Sequence, residues 1–134
     1  MIFTQGASYA VSSLVYMAAR PDELSACSAV CKAANLPERF VLQILRSLVN
    51  AGVLTSMRGV KGGYRLAKPA DKVTLHDVVE AVQGPAMARE TTQFAALNNS
   101  GRATVENTLS GIDGDIRKRL ASVTIADLKL AKGK

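Results

Sequence analysis

A twelve-residue stretch, MRGVKGGYRLAK at residues 57–68, combines residue types that can bind anions. It holds three glycines and four basic residues. Glycines beside a lysine can form a loop whose backbone N–H groups bind a nucleotide phosphate. The same composition also fits a tight β-hairpin whose basic tip lies against nucleic acid. The first interpretation predicts an enzyme or a nucleotide switch, and the second predicts a DNA-binding protein.

The spacing of the glycines argues against the phosphate loop. A P-loop needs GxxxxGK followed by Ser or Thr, placed between a strand and a helix. Residues 59–64 are GVKGGY, no Lys-Ser/Thr pair follows, and the dinucleotide pattern GxGxxG is absent. The next residues alternate as in a β-strand. We therefore favour a nucleic-acid-binding hairpin, with a solvated basic hairpin that has no partner as the plain alternative.

The basic residues of the chain are concentrated around this stretch. Residues 39–72 contain seven Lys and Arg residues and one acidic residue, whereas the rest of the chain has ten of each sign. A basic segment on a neutral body is typical of a nucleic-acid binder. An acidic protein partner or an anionic membrane would also fit the charge alone.

Three helices are predicted before the hairpin, over residues 4–20, 26–34 and 37–51. Ser25 is the predicted cap of the second helix, and Gly52 is the predicted left-handed cap that ends the third. The third helix has an apolar stripe of Phe40, Val41, Ile44, Leu45, Leu48 and Val49. Its other side carries Arg39, Leu42, Gln43, Arg46 and Asn50. Two short helices around a tight turn, the second with a polar outer face, predict a helix-turn-helix.

Two predicted strands, 53–57 and 64–68, form the hairpin directly after the third helix. Thr74 and Asp77 resemble a capping box before a helix at 75–83. Residues 86–101 match no element clearly, and a helix is predicted over 103–122. That helix has a narrow apolar seam of the kind two helices share, formed by Val105, Leu109, Ile112, Ile116 and Leu120. The predicted fold is mainly α with a small β-hairpin wing, divided into a winged helix-turn-helix at 1–85 and a linker, sensor and dimerisation segment at 86–134.

The remaining reactive side chains do not form a recognisable catalytic set. Cys27 and Cys31 are spaced i, i+4 on the second helix; a thiol switch or a shared metal is one interpretation, and two small buried reduced side chains are the one we favour. His76 is the only histidine and is predicted on the surface. We predict no metal site and no enzymatic activity. Phe94 and Leu97 could line a pocket for a small-molecule effector, or could simply pack.

The N-terminus and the hydropathy pattern bear on where in the cell the protein is expected. The chain shows no basic n-region followed by a long apolar stretch, and no run approaches the roughly 20 apolar residues that span a bilayer. With two cysteines, the chain has too few for a disulfide scaffold. These features predict a cytoplasmic protein without a membrane partner.

Four segments together carry a resemblance to a known family. They are TQGASYA at residues 4–10, LPERFVLQILRSLVNAGVL at 36–54, SMRGVKGGYRLAKP at 56–69 and TLHDVVEAVQGP at 74–85. In this order and over residues 2–85, the chain resembles the winged-helix bacterial regulators that include the iron–sulfur regulator IscR, the nitric-oxide sensor NsrR and the cysteine-metabolism regulator CymR.

The resemblance implies a homodimer whose long C-terminal helices pair. Its two helix-turn-helix units would enter successive major grooves of a pseudo-palindromic operator in double-stranded DNA. The family's wing arginine lies in the minor groove, and Arg58 stands at that position. Gln43 matches the family's glutamine on the recognition helix. The implied activity is transcriptional regulation, most simply as a repressor.

Two departures from the family pattern change what is expected. Some members carry a glutamate just before the recognition-helix glutamine, and here the residue is Leu42, which can touch a thymine methyl group but cannot accept a hydrogen bond from cytosine. Cluster-binding members carry three cysteines shortly after the Gly-Pro that matches residues 84–85, and this chain has no cysteine after Cys31. We therefore predict no iron–sulfur cluster and no other cofactor.

The predicted DNA-binding residues lie on the third helix and the wing: Arg39, Phe40, Gln43, Arg46, Arg58, Gly59, Lys61, Gly62 and Tyr64. The alternative prediction, from another class of protein, is an interaction module that keeps the winged fold without binding specific DNA.

Overall fold

A computed structural model of the protein describes residues 3–84 and 94–131. The elements, in chain order, are α1 (Gln5–Ala18), α2 (Cys27–Ala34), α3 (Glu38–Asn50), β1 (Leu54–Met57), β2 (Gly63–Leu66), a 3-10 turn (Ala70–Lys72), α4 (Leu75–Gln83), α5 (Asn99–Ala121) and a second 3-10 turn (Ile125–Asp127). The prediction of a mainly helical fold with a small β wing is confirmed.

Helix α1 begins where a threonine provides a cap. Thr4 Oγ1 accepts a hydrogen bond from the backbone N–H of Ala7 at 3.2 Å. Thr4 also donates from its backbone N–H to Gln83 Oε1, at 2.9 Å. One residue therefore satisfies a free N–H at the start of α1 and links it to the end of α4.

The hydrophobic core surrounds α1, which packs against α2, α3 and α4. The largest fully buried side chains are Leu14, Met17, Leu45, Leu48, Leu54 and Ile125. Burying each such side chain contributes about 1.5–3 kcal/mol. Ser13 is also fully buried, and its hydroxyl donates to the carbonyl of Tyr9 at 2.8 Å, so the polar group is satisfied.

Helix α3 buries four of the six residues of its predicted stripe, and Val49 is half-buried. Val41, Ile44, Leu45 and Leu48 are buried. Phe40 is expected in the same stripe, but the structure leaves 57% of it exposed. With 3.6 residues per turn, position 40 falls outside the arc that positions 41, 44, 45 and 48 turn toward α1. The end of α3 agrees with the prediction, since Gly52 follows it with a φ of 80°.

The start of α2 differs from its prediction. Ser25 does not cap the helix; Ala26 stands at the capping position and makes no side-chain hydrogen bond there. Instead, the backbone of Ser25 pairs with that of Tyr64 in an isolated β-bridge. The residue is buried because it joins α2 to the wing.

Strands β1 and β2 form a two-stranded antiparallel sheet. Leu54 pairs with Leu66, Thr55 with Arg65, Ser56 with Tyr64, and Met57 with Gly63. The strands are shorter than the predicted 53–57 and 64–68. Hairpin pairing nevertheless continues past them through a 2.9 Å bond from the N–H of Ala67 to the carbonyl of Val53.

The capping box of α4 is confirmed. Asp77 Oδ2 accepts from the N–H of Thr74 at 3.0 Å, and Thr74 Oγ1 accepts from the N–H of Asp77 at 3.1 Å. Helix α4 covers the predicted residues 75–83. The predicted domain boundary between residues 85 and 86 lies outside the described residues.

Helix α5 begins earlier than the predicted residue 103. Asn98 Oδ1 accepts from the N–H of Gly101 at 2.7 Å and caps a helix of 23 residues. After α5 the chain returns to the core: the N–H of Ile125 bonds the carbonyl of Val73 at 2.8 Å, and Ile125 is fully buried. Among the described helices, α5 included, none combines the length and the apolar character needed to cross a membrane.

Candidate nucleic-acid interface

The open side of α3 carries a polar strip. Arg39, Gln43 and Arg46 are exposed, and their spacing of four and three residues places them in one row along the helix. The opposite side of α3 is fixed by the core, so this row faces outward. The strip presents two guanidinium groups and one amide, which are the groups that hydrogen-bond to guanine and adenine in a major groove.

A cleft of about 490 Å³ joins α3 to the wing. Arg46 and Asn50 line it from α3, Cys27 from α2, and Met57 and Arg58 from the wing. The structure therefore brings Arg46 and Arg58, twelve positions apart in the sequence, onto one surface.

The wing is held against the helices by backbone hydrogen bonds. The N–H of Ser25 donates to the carbonyl of Tyr64 at 2.7 Å, and the N–H of Tyr64 donates to the carbonyl of Ser25 at 2.8 Å. Tyr64 is half-buried and packs against the core cluster. This bridge fixes the direction in which the hairpin tip leaves the body.

Two wing glycines are required by packing inside the protein. Gly63 has a φ of 155°, and a Cβ there would lie 2.7 Å from the carbonyl oxygen of Ser25. A Cβ on Gly62 would overlap the carbonyl oxygen of Met57. The structure thus places the predicted contacts Gly62 and Tyr64 on the inner side of the hairpin, where they shape it.

The other predicted wing residues are open to solvent. Arg58, Gly59 and Lys61 are exposed. Within residues 3–84 and 94–131, no carboxylate forms an ion pair with Arg39, Arg46, Arg58 or Lys61. These cations are free to bind an anionic partner, although their contact with DNA stays a prediction.

Several exposed residues of this surface were not among the predicted contacts. Asn50 lies at the end of α3 in the cleft, Met57 is 58% exposed on β1, and Val60 is fully exposed at the hairpin tip. The polar stripe of α3 already included Asn50. The strand register could have indicated Met57, because it pairs with a glycine that offers no side chain to cover it.

Cys27 lines the cleft, and Cys31 lies behind it in the core cluster. Their Sγ atoms are 3.9 Å apart, and Cys31 is buried while Cys27 is half-buried. Burial, the neighbouring Cys31 thiol and the Glu38 carboxylate raise the pKa of Cys27 to about 12. The two thiols form no disulfide, and both side chains pack in or against the core cluster.

The histidine and the two suggested pocket residues differ in how much of each side chain is exposed. His76 is half-buried, with its Nε2 3.2 Å from Glu80 Oε1, so the surface position predicted for it is only partly right. Phe94 is half-buried and Leu97 is 41% exposed. An apolar cavity of about 570 Å³ lies elsewhere, between α1 and the C-terminal segment, where Tyr16, Ile125 and Leu128 line it.

The predicted dimerisation seam lies on a helix that buries none of its residues. Ile112, at the middle of the seam, is 46% exposed. Val105, Leu109, Ile116 and Leu120 are half-buried. The chain on its own therefore leaves part of this apolar surface in contact with water.

Comparison with known proteins gives relatives for both sequence and fold. Over 83 residues, or 62% of this chain, the sequence is 39% identical to protein aau3 of Rhizobium meliloti. Over 80 residues, or 60% of the chain, it is 35% identical to a protein of Aquifex aeolicus named as an HTH-type transcriptional regulator. The matches cover 54% and 56% of those proteins, so the chain spans about half the length of these curated relatives.

Solved structures share the fold over nearly the whole chain. CymR of B. subtilis, named as the global cysteine regulator, superposes with a TM-score of 0.75 at 24% identity and covers 95% of each chain. IscR of T. potens superposes with a TM-score of 0.72 at 19% identity, covering 99% of this chain and 94% of its own. The family described as iron-dependent transcriptional regulators matches residues 3–130. The chain belongs to this family, Rrf2.

Proposed function

We propose that this protein is a sequence-specific DNA-binding transcriptional regulator and not an enzyme. The observation that carries the proposal is the exposed basic surface formed by α3 and the wing across one cleft, whose cations form no ion pair within the described residues. A helix and a hairpin held at a fixed angle match the two grooves of a duplex. Family membership supports the same role.

The two parts of this surface have different tasks. Arg39, Gln43 and Arg46 face base edges in the major groove, where bidentate contacts discriminate between base pairs. Arg58 enters the minor groove beside α3, and Lys61 contacts phosphates. Phosphate contacts supply affinity without sequence information, and the α3 row supplies the specificity.

The DNA-binding form is a homodimer. The exposed seam of α5 pairs with the same seam of a second copy, which covers Ile112. A two-fold dimer then presents two α3 helices to half-sites separated by about 34–36 Å on one face of the duplex. Occupying that length of a promoter excludes other proteins from it, and repression is the outcome we propose.

The regulator acts without an iron–sulfur cluster, although its family is described as iron-dependent. Clusters of this kind are held by about four thiolates or thiolate and imidazole ligands. This chain has two thiols in all, both on α2, and one histidine, whose Nε2 instead lies beside Glu80. In the described part of the chain, no three His, Cys, Asp or Glu side chains converge on a metal position. These residues do not fit the group.

A direct prediction follows for the purified protein. Because the chain lacks the thiolates, the protein purified without oxygen should be colourless and contain iron well below one atom per chain. Visible absorbance together with inductively coupled plasma analysis of iron checks this. Stoichiometric iron together with a visible thiolate-to-iron charge-transfer band would contradict the cluster-free proposal.

Genomic DNA selection with the purified protein at defined salt tests the function itself. We expect enrichment of a palindromic site whose affinity falls steeply as salt rises, because bound phosphates release counterions. Lack of any enriched sequence, together with a Kd that does not depend on salt, would contradict DNA binding. That result would favour an interaction module that keeps only the winged fold.

A further inference from the structure

The candidate DNA surface exposes large apolar side chains among its basic groups. Phe40 is 57% exposed and Leu42 is 36% exposed on α3, and Met57 and Val60 are exposed on the wing. Exposed apolar groups gathered on one functional surface indicate a partner that covers them. Arg39 and Arg46 on the same helix are exposed and form no ion pair with the residues that the structure describes, which indicates that this partner is an anion.

Phe40 and Leu42 lie near the start of α3, the recognition helix of the proposed function. Both lie within its first five residues, and the N-terminal residues of a recognition helix are those that contact base edges. With 3.6 residues per turn, the two side chains flank the row of Arg39, Gln43 and Arg46, one on each edge. In the proposed complex, an apolar group on either edge of this row would meet the floor of the major groove beside the hydrogen-bonded bases.

Thymine is the base whose groove edge is apolar. Its C5-methyl group projects into the major groove, where phenylalanine and aliphatic side chains contact it, while cytosine presents an amino group that neither side chain can satisfy. We propose that Phe40 and Leu42 read thymine methyl groups on either side of the base pairs contacted by Gln43. This inference rests on the proposed function and names the chemistry by which the same surface selects its site.

A comparison of thymine-containing and uracil-containing DNA tests the readout and does not require a known operator. A random duplex library is selected with the wild-type protein, and the bound pool is amplified once with dTTP and once with dUTP. The two pools then differ in their thymine methyl groups. Burial of one methyl group corresponds to about fourfold in affinity, so contacts in both half-sites should make the uracil pool at least about tenfold weaker.

The variants assign that difference to the two side chains. In Phe40→Ala/Leu42→Ala, the thymine and uracil pools should bind within about twofold of one another. Leu97→Ala, which removes an exposed leucine outside α3 and the wing, should keep the full difference. Circular dichroism melting should show all three proteins folded, since none of these side chains is buried.

The outcomes separate this inference from the function on which it rests. Equal binding of the two pools by a wild-type protein that still selects a sequence overturns the thymine readout and leaves the regulator intact. A thymine preference that persists in the double variant overturns the assignment to Phe40 and Leu42. Failure to enrich any sequence overturns the proposed function and this inference together.

Discussion

Helices α3 and α5 each carry an apolar stripe, and the two stripes have different surroundings. Helix α3 has 13 residues and buries Val41, Ile44, Leu45 and Leu48 within its own chain. Helix α5 has 23 residues and buries none. A helix whose apolar face is already covered can offer its other face to a ligand. A helix whose apolar face is open gains stability from packing against a partner.

In the proposed function, this difference separates DNA recognition by α3 from dimer assembly through α5. The body formed by α1 to α4 positions the basic surface of α3 and the wing, because the core holds α3 and the Ser25–Tyr64 bridge holds the wing. In the proposed dimer, the seam of α5 pairs with that of a second copy. Changes in α3 or the wing should therefore leave the dimer intact, and a change in the seam should weaken DNA binding only by separating the two copies; the following predictions test that separation.

The largest effect is expected at the seam. Ile112→Glu introduces a charge at the most exposed position of the seam, so the variant should be a folded monomer. Its affinity for the operator should fall by at least about a hundredfold, because the two half-sites are no longer bound by one linked pair of chains. Sedimentation velocity and fluorescence anisotropy measure the two effects. Asn107→Glu, on the opposite side of α5, adds the same charge and should remain dimeric. A dimer that survives Ile112→Glu would place the interface elsewhere.

The wing should show a smaller effect with the dimer preserved. Arg58→Ala removes an exposed guanidinium beside the α3 cleft, and operator affinity should fall about tenfold to a hundredfold with little change in Tm. Lys72→Ala is the matched control, since it removes an exposed positive charge from the 3-10 turn after the wing. Equal losses in the two variants would reduce the role of Arg58 to general electrostatic attraction.

The α3 row should affect sequence choice more than total affinity. Gln43→Ala removes an exposed amide, so discrimination at one base pair of each half-site should weaken by about 1–3 kcal/mol. Affinity for unrelated DNA should change little, because the phosphate contacts remain. Competition between the selected site and its single-base variants gives the measurement. A uniform loss on every duplex would show that Gln43 does not read bases.

The smallest effect concerns the stability of the body at high pH. The folded protein holds the pKa of Cys27 near 12, above the 9.0 of an unperturbed thiol. Between these values the unfolded chain loses the proton that the folded chain keeps, so the free energy of unfolding should decrease as pH rises above 9 and be unaffected below it. Urea unfolding at pH 7 and pH 10 measures this change. Between the two pH values, the free energy of unfolding should decrease less for Cys27→Ala than for the wild type. Identical decreases would contradict a protonated Cys27 in the folded state.

Much of the fold was predictable because local chemistry determines it. The Thr74–Asp77 pair defines the start of α4, and the Gly-rich turn between two short strands defines the wing. Periodicity located α3 because four of its apolar positions face one core. These signals act over a few residues and are visible in the sequence itself.

The errors arose where contacts distant in sequence decide the outcome. Ser25 has the side chain of a helix cap, but its backbone pairs with Tyr64, which lies 39 positions later. Phe40 is apolar and close to the stripe, yet it lies outside the arc that the core covers. Gly63 belongs to the glycine-rich turn, and only the structure shows that the backbone of Ser25 leaves no room for a side chain there. Periodicity and composition do not contain these contacts.

The seam of α5 was only partly predictable from the sequence. Its spacing predicted an apolar strip, and the structure shows that the chain does not fully cover it. A single chain carries no information about which surface of a second copy meets this strip. The dimer therefore stays a proposal that Ile112→Glu can test.

The ratio of the affinities for operator and scrambled DNA tests most directly whether α3 and the wing recognise a specific sequence. Wild-type protein is titrated at one fixed salt concentration with the selected operator and with a scrambled duplex of the same length and composition. We predict binding to the operator at least about a thousandfold tighter, with two chains per duplex at saturation. Equal affinity for both duplexes would contradict sequence-specific recognition by α3 and the wing.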